Sequence, residues 1–283
     1  MGMTAVDERR IFNANDSSYS REMAALQSPQ PVFVTRVINP CVLIEIGDVK
    51  ILTDPFFAGH RMFPMHEPIG VSPDRLPQLQ AVLGGHGVID HWQPRSMASY
   101  RFHEQTDVFT ATKRMARQAK RAGFEAAEQL QWGERRQLTD DVSLTCLEGE
   151  KVLAGTARTN NYLIEAPDIA IFVGTEACSL EPIERFANER AVDVAILPID
   201  GLTFGRKQLV MDASAAVEAA KTMGARVIAP IHYSQKPVPG ILRCPSGIDE
   251  LERLIMAESG ITAAHGPTGK RVPIVRRTEP VPR

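Results

Sequence analysis

The sequence lacks the long apolar run that a membrane-spanning helix needs, since no stretch of about 18 hydrophobic residues occurs in the chain. Its first residues carry charges and contain no apolar core, so a secretory signal is not expected. Only four cysteines are present, and they stand far apart without a Cys-x-x-Cys pair. Together with the missing export signal, this predicts reduced thiols in a cytoplasmic protein.

The sequence also lacks a strong charge of either sign, since 32 basic and 34 acidic residues leave a formal net charge of -2. This balance argues against nucleic acid as a partner and against a polyanionic substrate, both of which usually bind a basic surface. The exceptions are two short runs, Lys113-Arg114 and Lys120-Arg121. We interpret them as solvated charge on a polar helix face, with phosphate binding as the alternative.

The rest of the composition is that of a globular protein, with 43% hydrophobic and 23% charged residues. Pro29 and Pro31 separate a short segment, residues 1–30, from the remainder of the chain. That remainder has no internal repeat, linker or low-complexity tract. We therefore predict an N-terminal extension, residues 1–30, and one α/β domain, residues 31–283. The sequence allows a homo-oligomer.

Apolar alternation and turn residues predict the regular elements of the domain. Two helices are expected, Thr112–Ala122 and Ala213–Met223, each ending at a glycine, and the second is capped by Asp212. A long proline-rich loop covers residues 55–80, and such loops are often functional. The predicted strands are Val32–Val37, Cys41–Ile46, Val49–Leu52, Gln80–Leu83, Val108–Thr110, Gln137–Cys146, Asn161–Glu165, Ile169–Val173, Val192–Leu197, Val227–Ile231, and a last pair at Ile261–Ala264 and Arg271–Val275.

Residues of the kinds that bind metals recur directly after the buried strands. Taken singly, an Asp at such a position is usually a turn or helix cap, and a His is usually a hydrogen-bonded structural residue. Their repetition favours a site, because strand ends collected along one sheet edge are where α/β proteins bind ligands. The residues are Asp54, His86, Asp90, His91, Glu176, Asp200 and His232.

The order and spacing of several short motifs resemble the metallo-β-lactamase superfamily. Within it, the chain looks like the branch of ascorbate-6-phosphate lactonase-like and N-acylphosphatidylethanolamine phospholipase-like hydrolases. The resemblance covers roughly residues 32–275 and implies an αββα sandwich, two mixed β-sheets face to face with helices outside. The stretches that carry it are Cys41-Val42-Leu43-Ile44-Glu45-Ile46, Ile51-Leu52-Thr53-Asp54-Pro55, His86-Gly87-Val88-Ile89-Asp90-His91, Trp132-Gly133-Glu134, Gly174-Thr175-Glu176, Asp193 to Pro198, Ala216 to Ala220, and Pro230-Ile231-His232-Tyr233.

This sequence departs from the family pattern at the first of the family's two metal positions. The family motif His-x-His-x-Asp-His has Val88 in place of its second His. A mid-chain His is also missing, because none lies between His103 and His232. The Asp that bridges both metals in the family is here Thr175, so the first position keeps only His86.

The second metal position is better preserved. By resemblance its ligands are Asp90, His91 and His232, and two imidazoles with one carboxylate suit Zn²⁺ with an open position for water. One divalent cation is therefore expected, with Zn²⁺ preferred and Mn²⁺ or Fe²⁺ open. Asp90 and His91 have helix capping as their alternative role. Glu176 adds a ligand only if it lies in the loop beyond its strand, because adjacent strand residues point to opposite faces.

The remaining candidates have roles around this position. His86 is a leftover ligand, a general base or a structural hydrogen-bonding residue, and Asp200 is a second candidate proton acceptor. These two join the ligand Asp90 as catalytic candidates. Asp54 resembles the family's outer Asp, which orients the ligand loop. Tyr233 follows the last His and is expected to face the pocket as an outer residue.

Three functions are compatible with these residues. The first is a metallohydrolase that cleaves a small ester, lactone or phosphodiester with water activated by one metal. The second is a mononuclear non-haem iron enzyme, and the third is a metal-free pseudoenzyme that binds a small molecule or a partner. A small-molecule substrate is expected in the first two cases. Apolar contacts for its organic part would come from the 55–80 loop, through Phe56, Phe57, Met62, Phe63 and Met65.

Overall fold

The computed structural model describes residues 29–61, 63–152, 157–257 and 260–275. The predicted extension, residues 1–30, lies almost wholly outside the described residues, and so does Met62. The division into an extension and a domain therefore stays a prediction. Among the helices of the described ranges, none is long and apolar enough to cross a membrane.

The first large sheet has seven strands in the order β17-β1-β2-β3-β4-β5-β6. Its strands are β1 Val32–Ile38, β2 Cys41–Ile46, β3 Val49–Thr53, β4 Ala81–Gly84, β5 Asp107–Thr110, β6 Ala127–Gln129 and β17 Arg271–Pro273. The half from β17 to β3 is antiparallel, and the half from β3 to β6 is parallel. The sheet is therefore mixed, as expected.

The second large sheet also has seven strands, in the order β16-β14-β11-β10-β9-β8-β7. Its strands are β7 Arg135–Gln137, β8 Ser143–Val152, β9 Ala157–Ala166, β10 Ile169–Val173, β11 Val194–Pro198, β14 Val227–Ile231 and β16 Thr262–Ala263. Here β10, β11, β14 and β16 run parallel, and β7 to β10 form antiparallel pairs. A small antiparallel sheet is added by β12 Thr203–Phe204, β13 Lys207–Gln208 and β15 Leu242–Arg243.

Four helices of the described ranges are α1 Lys113–Arg121, α2 Glu181–Ala187, α3 Ala213–Thr222 and α4 Ile248–Ala257. Both predicted helices are present; the cap of α3 was predicted, whereas Thr112, predicted as the first residue of α1, is its cap. The Thr112 side chain accepts a hydrogen bond from Met115 N, and the Asp212 side chain accepts one from Ala215 N. Short 3₁₀ turns occur at Pro73–Arg75, Pro94–Met97 and His103–Gln105.

The core has three layers that result from the alternation of apolar residues along the strands. Ile44 and Ile51 pack between the two sheets, with Ile171 and Ile196 of the second sheet. The opposite faces of the sheets pack against the helices: the outer face of the first sheet contacts α1, and that of the second sheet contacts α2, α3 and α4. The predicted αββα sandwich is therefore confirmed.

Some predictions about elements were wrong. The last two strands do not pair with each other, because β17 joins β1 in the first sheet and β16 joins β14 in the second. The predicted strand Gln137–Cys146 is two strands, β7 and β8, since a turn over residues 138–142 reverses the chain. Helices α2 and α4 were not predicted, although Ile248, Leu251 and Ile255 of α4 have helical spacing.

Candidate metal centre

The seven metal-type residues lie beyond strand ends in both large sheets. Asp54 directly follows β3, and His232 directly follows β14. None of the seven exposes more than 6% of its surface, although all are polar. Burial of so many ionisable groups is costly unless they pair with one another or bind a cation. The set is Asp54, His86, Asp90, His91, Glu176, Asp200 and His232.

The backbone is strained at this edge. Among the described residues, three that are not glycine have a positive φ, namely Asn39 at 38°, Asp54 at 37° and His232 at 55°. Each such conformation costs about 1–3 kcal/mol and persists where the surroundings impose it, often at functional sites. Two of the three are predicted site residues, and the carbonyl oxygen of the third, Asn39, accepts a hydrogen bond from His232 N at 3.4 Å.

Gly85 lies where the two sheets meet at this edge. Its amide donates to Asp54 Oδ1 at 2.6 Å, and its carbonyl accepts from Asn160 N at 2.9 Å. A Cβ at this position would lie 2.3 Å from Thr175 Oγ1. Only glycine permits this approach, so the Gly-Gly-His stretch brings Asp54 close to the loop that carries His91.

His91 is the central residue of the site. Its Nδ1 lies 2.9 Å from Asp54 Oδ2, and its Nε2 lies 2.9 Å from His232 Nε2 and 2.8 Å from Glu176 Oε2. Because a carboxylate only accepts, Asp54 keeps a proton on Nδ1. The neutral ring then carries its lone pair on Nε2, where it faces the two other candidate ligands.

Glu176 lies in the loop beyond its strand, which was the condition for its side chain to be a metal ligand. Strand β10 ends at Val173, and Glu176 lies in the turn beyond, so its direction is not fixed by strand alternation. One carboxylate oxygen is 2.8 Å from His91 Nε2, and the other is 3.5 Å from His86 Nδ1. The side chain therefore bridges the two histidines of the loop after β4.

Asp90 and His86 complete two overlapping groups of potential ligands. One group is Asp90, His91 and His232, and the other is His86, His91 and Glu176, each with ligand atoms within 4.8 Å of one another. Asp90 Oδ1 and both ring nitrogens of His86 are buried without a hydrogen bond. His91 belongs to both groups.

Asp200 stands behind His232. Its Oδ2 lies 4.0 Å from His232 Nδ1, the ring nitrogen that faces away from His91, and its Oδ1 accepts from Leu202 N at 3.0 Å. In both pairs a carboxylate faces the Nδ1 atom of an imidazole, but Asp200 and His232 are farther apart than Asp54 and His91. His232 Nδ1 has no hydrogen-bond partner at this distance.

Tyr233 makes its contacts in a different network. The Arg36 guanidinium lies 4.0 Å from the centroid of its ring, and its hydroxyl donates to Gly266 O at 3.4 Å. Arg36 is itself buried and donates to Ser234 Oγ and to Glu67 Oε2, both at 2.5 Å. This buried cation fixes the segment after His232.

Burial and charge shift the pKa values of the imidazoles apart. Burial lowers the pKa of His91, but the carboxylates of Glu176 and Asp54 outweigh it and raise the value well above the ordinary one. Burial and the neighbouring His91 lower the pKa of His232 to about 3. Burial also lowers the pKa of His86. His232 and His86 are therefore neutral, which is the form that binds metals.

The pKa values of the carboxylates are also shifted in opposite directions. Burial raises the pKa of Asp90 to about 6 and that of Asp200 to about 7. Burial also acts to raise the pKa of Glu176, but His91 and His86 outweigh it and lower the value to about 2. Groups whose environments separate their pKa values in this way are typical of functional sites.

The residues present fit a divalent cation. Ligands of a tetrahedral Zn²⁺ at about 2.0–2.1 Å stand roughly 3.3 Å apart. His91 Nε2 lies 2.9 Å from His232 Nε2 and 2.8 Å from Glu176 Oε2, so each of these two pairs needs to separate by only a few tenths of an ångström to reach that spacing. Imidazole and carboxylate donors suit Zn²⁺, Mn²⁺ and Fe²⁺. The buried, unbonded atoms of Asp90 and His86 are further donors.

Asn39 and the group formed by Arg36, Glu67 and Ser234 were not predicted from the sequence. Asn39 is fully buried next to His232, and neither its amide nitrogen nor its amide oxygen has a hydrogen-bond partner. Its only signal was an Asn-Pro step between two strands, which is typical of an ordinary turn. Arg36, Glu67 and Ser234 gave no signal, because they are distant in sequence and come together only in the fold.

Comparison with known proteins agrees with the predicted superfamily. Residues 49–233 match the family described as the beta-lactamase superfamily domain. This match spans well over half of the chain, so the chain belongs to that family. The finer branch proposed from the motifs remains a prediction.

Individual relatives carry metal-related descriptions. The chain is 26% identical over 202 residues to a UPF0173 metal-dependent hydrolase of Methanosphaerula palustris, and the match covers 70% of this chain and 82% of that protein. Igni18, a metallo hydrolase of Ignicoccus hospitalis, superposes with a TM-score of 0.68 at 15% identity, over 87% of this chain and 100% of its own. CmlA, a diiron β-hydroxylase of Streptomyces venezuelae, superposes with a TM-score of 0.64 at 13% identity, over 92% of this chain and 57% of its own. At these identities the two structures show the fold alone.

Proposed function

We propose that this protein is a metal-dependent hydrolase that holds one divalent cation at Asp90, His91 and His232, with Glu176 as a further ligand. The observation that carries the proposal is the convergence of Asp90, His91 and His232, whose ligand atoms lie within 4.8 Å of one another, while His91 Nε2 also lies 2.8 Å from Glu176 Oε2. The name of the Methanosphaerula relative supports the reaction class. Zn²⁺ is the preferred cation, because two imidazoles and carboxylate oxygens match its usual donors.

A single tightly bound cation is favoured because both ligand groups depend on His91. Its Nδ1 is engaged by Asp54, so only the lone pair of Nε2 is free to bind a cation. One lone pair coordinates one ion, and the two groups therefore compete. A second ion would be left with His86 and Glu176, since Val88 stands where the family has another His.

When bound, such a cation supplies Lewis acidity, which activates water at neutral pH and polarises the oxygen of a scissile bond. The chain's own residues prepare the site for it. Asp54 orients His91 by holding a proton on its Nδ1, so that Nε2 is the atom that gives up its proton to a cation, and Asp200 is placed to orient His232 in the same way. Support of this kind fixes ring orientation before a ligand binds.

His86 is the better placed of the two candidate proton acceptors. It lies on the loop between β4 and Asp90, and its ring nitrogens have no hydrogen bond that would have to break. Asp200 lies behind His232, on the side away from His91. We therefore assign proton acceptance to His86 and orientation of His232 to Asp200.

The proposed substrate is a small ester, lactone or phosphodiester rather than nucleic acid or a β-lactam. The net charge of -2 supports a substrate that is not a polyanion. The 55–80 loop supports an organic body, because Phe57, Phe63 and Met65 line an open cleft with Phe56. Phe56 and Phe57 are themselves buried in the core below, so the half-buried Phe63 and Met65 offer the accessible contacts.

A mononuclear iron enzyme is the second candidate. The observation that favours it is the trio Asp90, His91 and His232, since two His and one carboxylate are also the ligands of non-haem Fe²⁺ oxygenases. Such an enzyme would consume O₂, whereas a hydrolase would not. The two candidates are thus separated by the metal and by the co-substrate.

The test is a screen of ester, lactone and phosphodiester substrates with protein loaded separately with Zn²⁺, Mn²⁺ and Fe²⁺. We expect turnover by the wild type and none by His232→Ala, which should keep its fold because His232 lies at a strand end. The control His265→Ala changes a partly exposed His that pairs with Glu252, and it should leave turnover unchanged. No turnover on any class, with equal thermal shifts for wild type and His232→Ala, would contradict the proposal.

A further inference from the structure

A second feature of the loop after β4 is an open cleft on the surface beside it. The cleft has a volume of about 670 Å³ and lies between residues 58–60, residues 89–96 and the helix α1. That volume falls in the range of about 300–1,000 Å³ that is typical of sites for small organic ligands. None of the seven metal-type side chains lines it, so it is separate from the candidate metal centre.

The cleft is positively charged. Arg95 of the loop and Arg121 of α1 both line it, and no Asp or Glu is among the residues that line it. Both arginines are exposed, and neither has an ion pair within the part of the chain that the structure describes. The chain as a whole is slightly acidic, so this local excess is not a consequence of composition.

The wall of the cleft contains Trp92, which is 5% exposed and whose Nε1–H has no hydrogen-bond acceptor. The Cε3–Cζ3 edge of its indole ring packs against Gly84, because a Cβ there would lie 2.6–2.8 Å from those atoms. The Nε1–H is on the opposite edge of the ring and points away from β4. A buried donor without an acceptor is unusual in a folded protein.

The cleft is directly connected to the metal centre through the chain. Ile89 and Trp92 line it, and they immediately precede and follow the pair Asp90-His91. A ligand in the cleft therefore contacts the same four-residue stretch that carries two of the proposed metal ligands.

We propose that this cleft binds an oxyanion, a phosphate or carboxylate group of an organic molecule, through Arg95 and Arg121. Planar guanidinium groups match the geometry of both anions. Trp92 forms part of the wall, and Ile89 supplies apolar contact. That the molecule is the substrate rests on the proposed function, whereas anion binding in the cleft does not. A single compact anion is consistent with the net charge of -2, which argues against a polyanion as ligand.

The test measures binding of inorganic phosphate and of acetate to the metal-free His232→Ala protein, so that coordination by a metal cannot give the signal. Trp132→Phe is added to leave Trp92 as the single tryptophan, since the chain has two. The readouts are Trp92 fluorescence and the melting temperature, each against NaCl of equal ionic strength. We expect a saturable change, and the stronger of the two anions identifies the group that the cleft prefers.

Arg95→Gln/Arg121→Gln should weaken this binding by about tenfold, because two charge-assisted contacts are lost. Arg101→Gln/Lys113→Gln is the matched control, since it removes two exposed positive charges that do not line the cleft. It should bind as the parent does. No saturable change with either anion, or an equal loss in both double variants, would overturn the proposal. Either outcome is independent of whether the protein hydrolyses anything.

Discussion

The two histidines of the loop after β4 differ in how they are held. His91 has Asp54 on one ring nitrogen, and its other nitrogen faces both His232 and Glu176 within 2.9 Å. His86, five residues earlier, has no hydrogen bond on either nitrogen, and its nearest carboxylate is 3.5 Å away. One half of the site is thus arranged before any ligand binds, and the other half is not.

The difference between His86 and His91 corresponds to the two metal positions of the family motif. Where Val88 replaces a ligand, the neighbouring His86 has no partner that fixes its ring. At the proposed ligand His91, Asp54 lies 2.9 Å from Nδ1 and fixes the ring. Orientation of a ligand by a second residue typically changes metal affinity by 10–100-fold, so the two halves should differ strongly in affinity.

Substitution of His91 should have the largest effect, because this residue belongs to both potential ligand groups. We expect His91→Ala to lose its bound metal and all metal-dependent turnover. Elemental analysis of protein purified without added metal provides the measurement. His265→Ala is the control and should retain the metal. A full complement of metal in His91→Ala would mean that the ions bind elsewhere.

Asp54→Asn comes next, because it removes the charge that orients His91 without changing its shape. Metal affinity should fall about 10–100-fold, as measured by competition with a chromophoric chelator. Asp48→Asn, in the exposed turn between β2 and β3, is the matched control and should not change affinity. An affinity equal to that of the wild type would show that Asp54 has only a structural role.

Asp200→Asn distinguishes orientation from catalysis at the other imidazole. An Asn oxygen can accept from His232 Nδ1 as the carboxylate can when the two groups approach from their 4.0 Å separation, so we expect turnover to fall by less than about tenfold and metal affinity to fall by a similar factor. Asp200→Ala should lower both further. Loss of turnover by about 10²-fold or more with unchanged metal affinity would instead make Asp200 the proton acceptor.

His86→Ala should have the smallest effect on metal content. The protein should keep its tightly bound ion, because Asp90, His91 and His232 are untouched. Turnover should fall by about 10²-fold if His86 accepts the proton and by less if it only positions water. Loss of the ion from His86→Ala would show that the unsupported half is the real binding site.

Much of this site could be predicted from the sequence, because it depends on local order. Asp54 and His86 follow the parallel strands β3 and β4 of the first sheet, and Glu176, Asp200 and His232 follow the parallel strands β10, β11 and β14 of the second. Within each sheet, parallel strands bring their carboxyl ends to one edge. The position of Glu176 could be stated only as a condition, since one residue decides whether it lies in a strand or in the turn beyond. Asn39 and Arg36 could not be found, because burial without a partner and contacts across 198 positions leave no local pattern.

The same distinction applies to the fold. Strands that are continuous apolar runs, such as Ile169–Val173 and Val227–Ile231, were predicted with the bounds that the structure has. The pairing of the last two strands was predicted wrongly, because nearness in sequence favours a hairpin, whereas β16 and β17 complete different sheets. Which sheet a short edge strand joins is decided by tertiary packing and not by its own residues.

The number of tightly bound metal ions per chain tests the central claim most directly. Protein purified without added metal, and washed with a weak chelator, should contain at most one divalent ion per chain by elemental analysis. The same analysis identifies the element and so separates a zinc or manganese hydrolase from an iron enzyme. Two fully occupied ions per chain would contradict the single-site account, and a metal-free chain that fails to bind added Zn²⁺, Mn²⁺ or Fe²⁺ would indicate a pseudoenzyme.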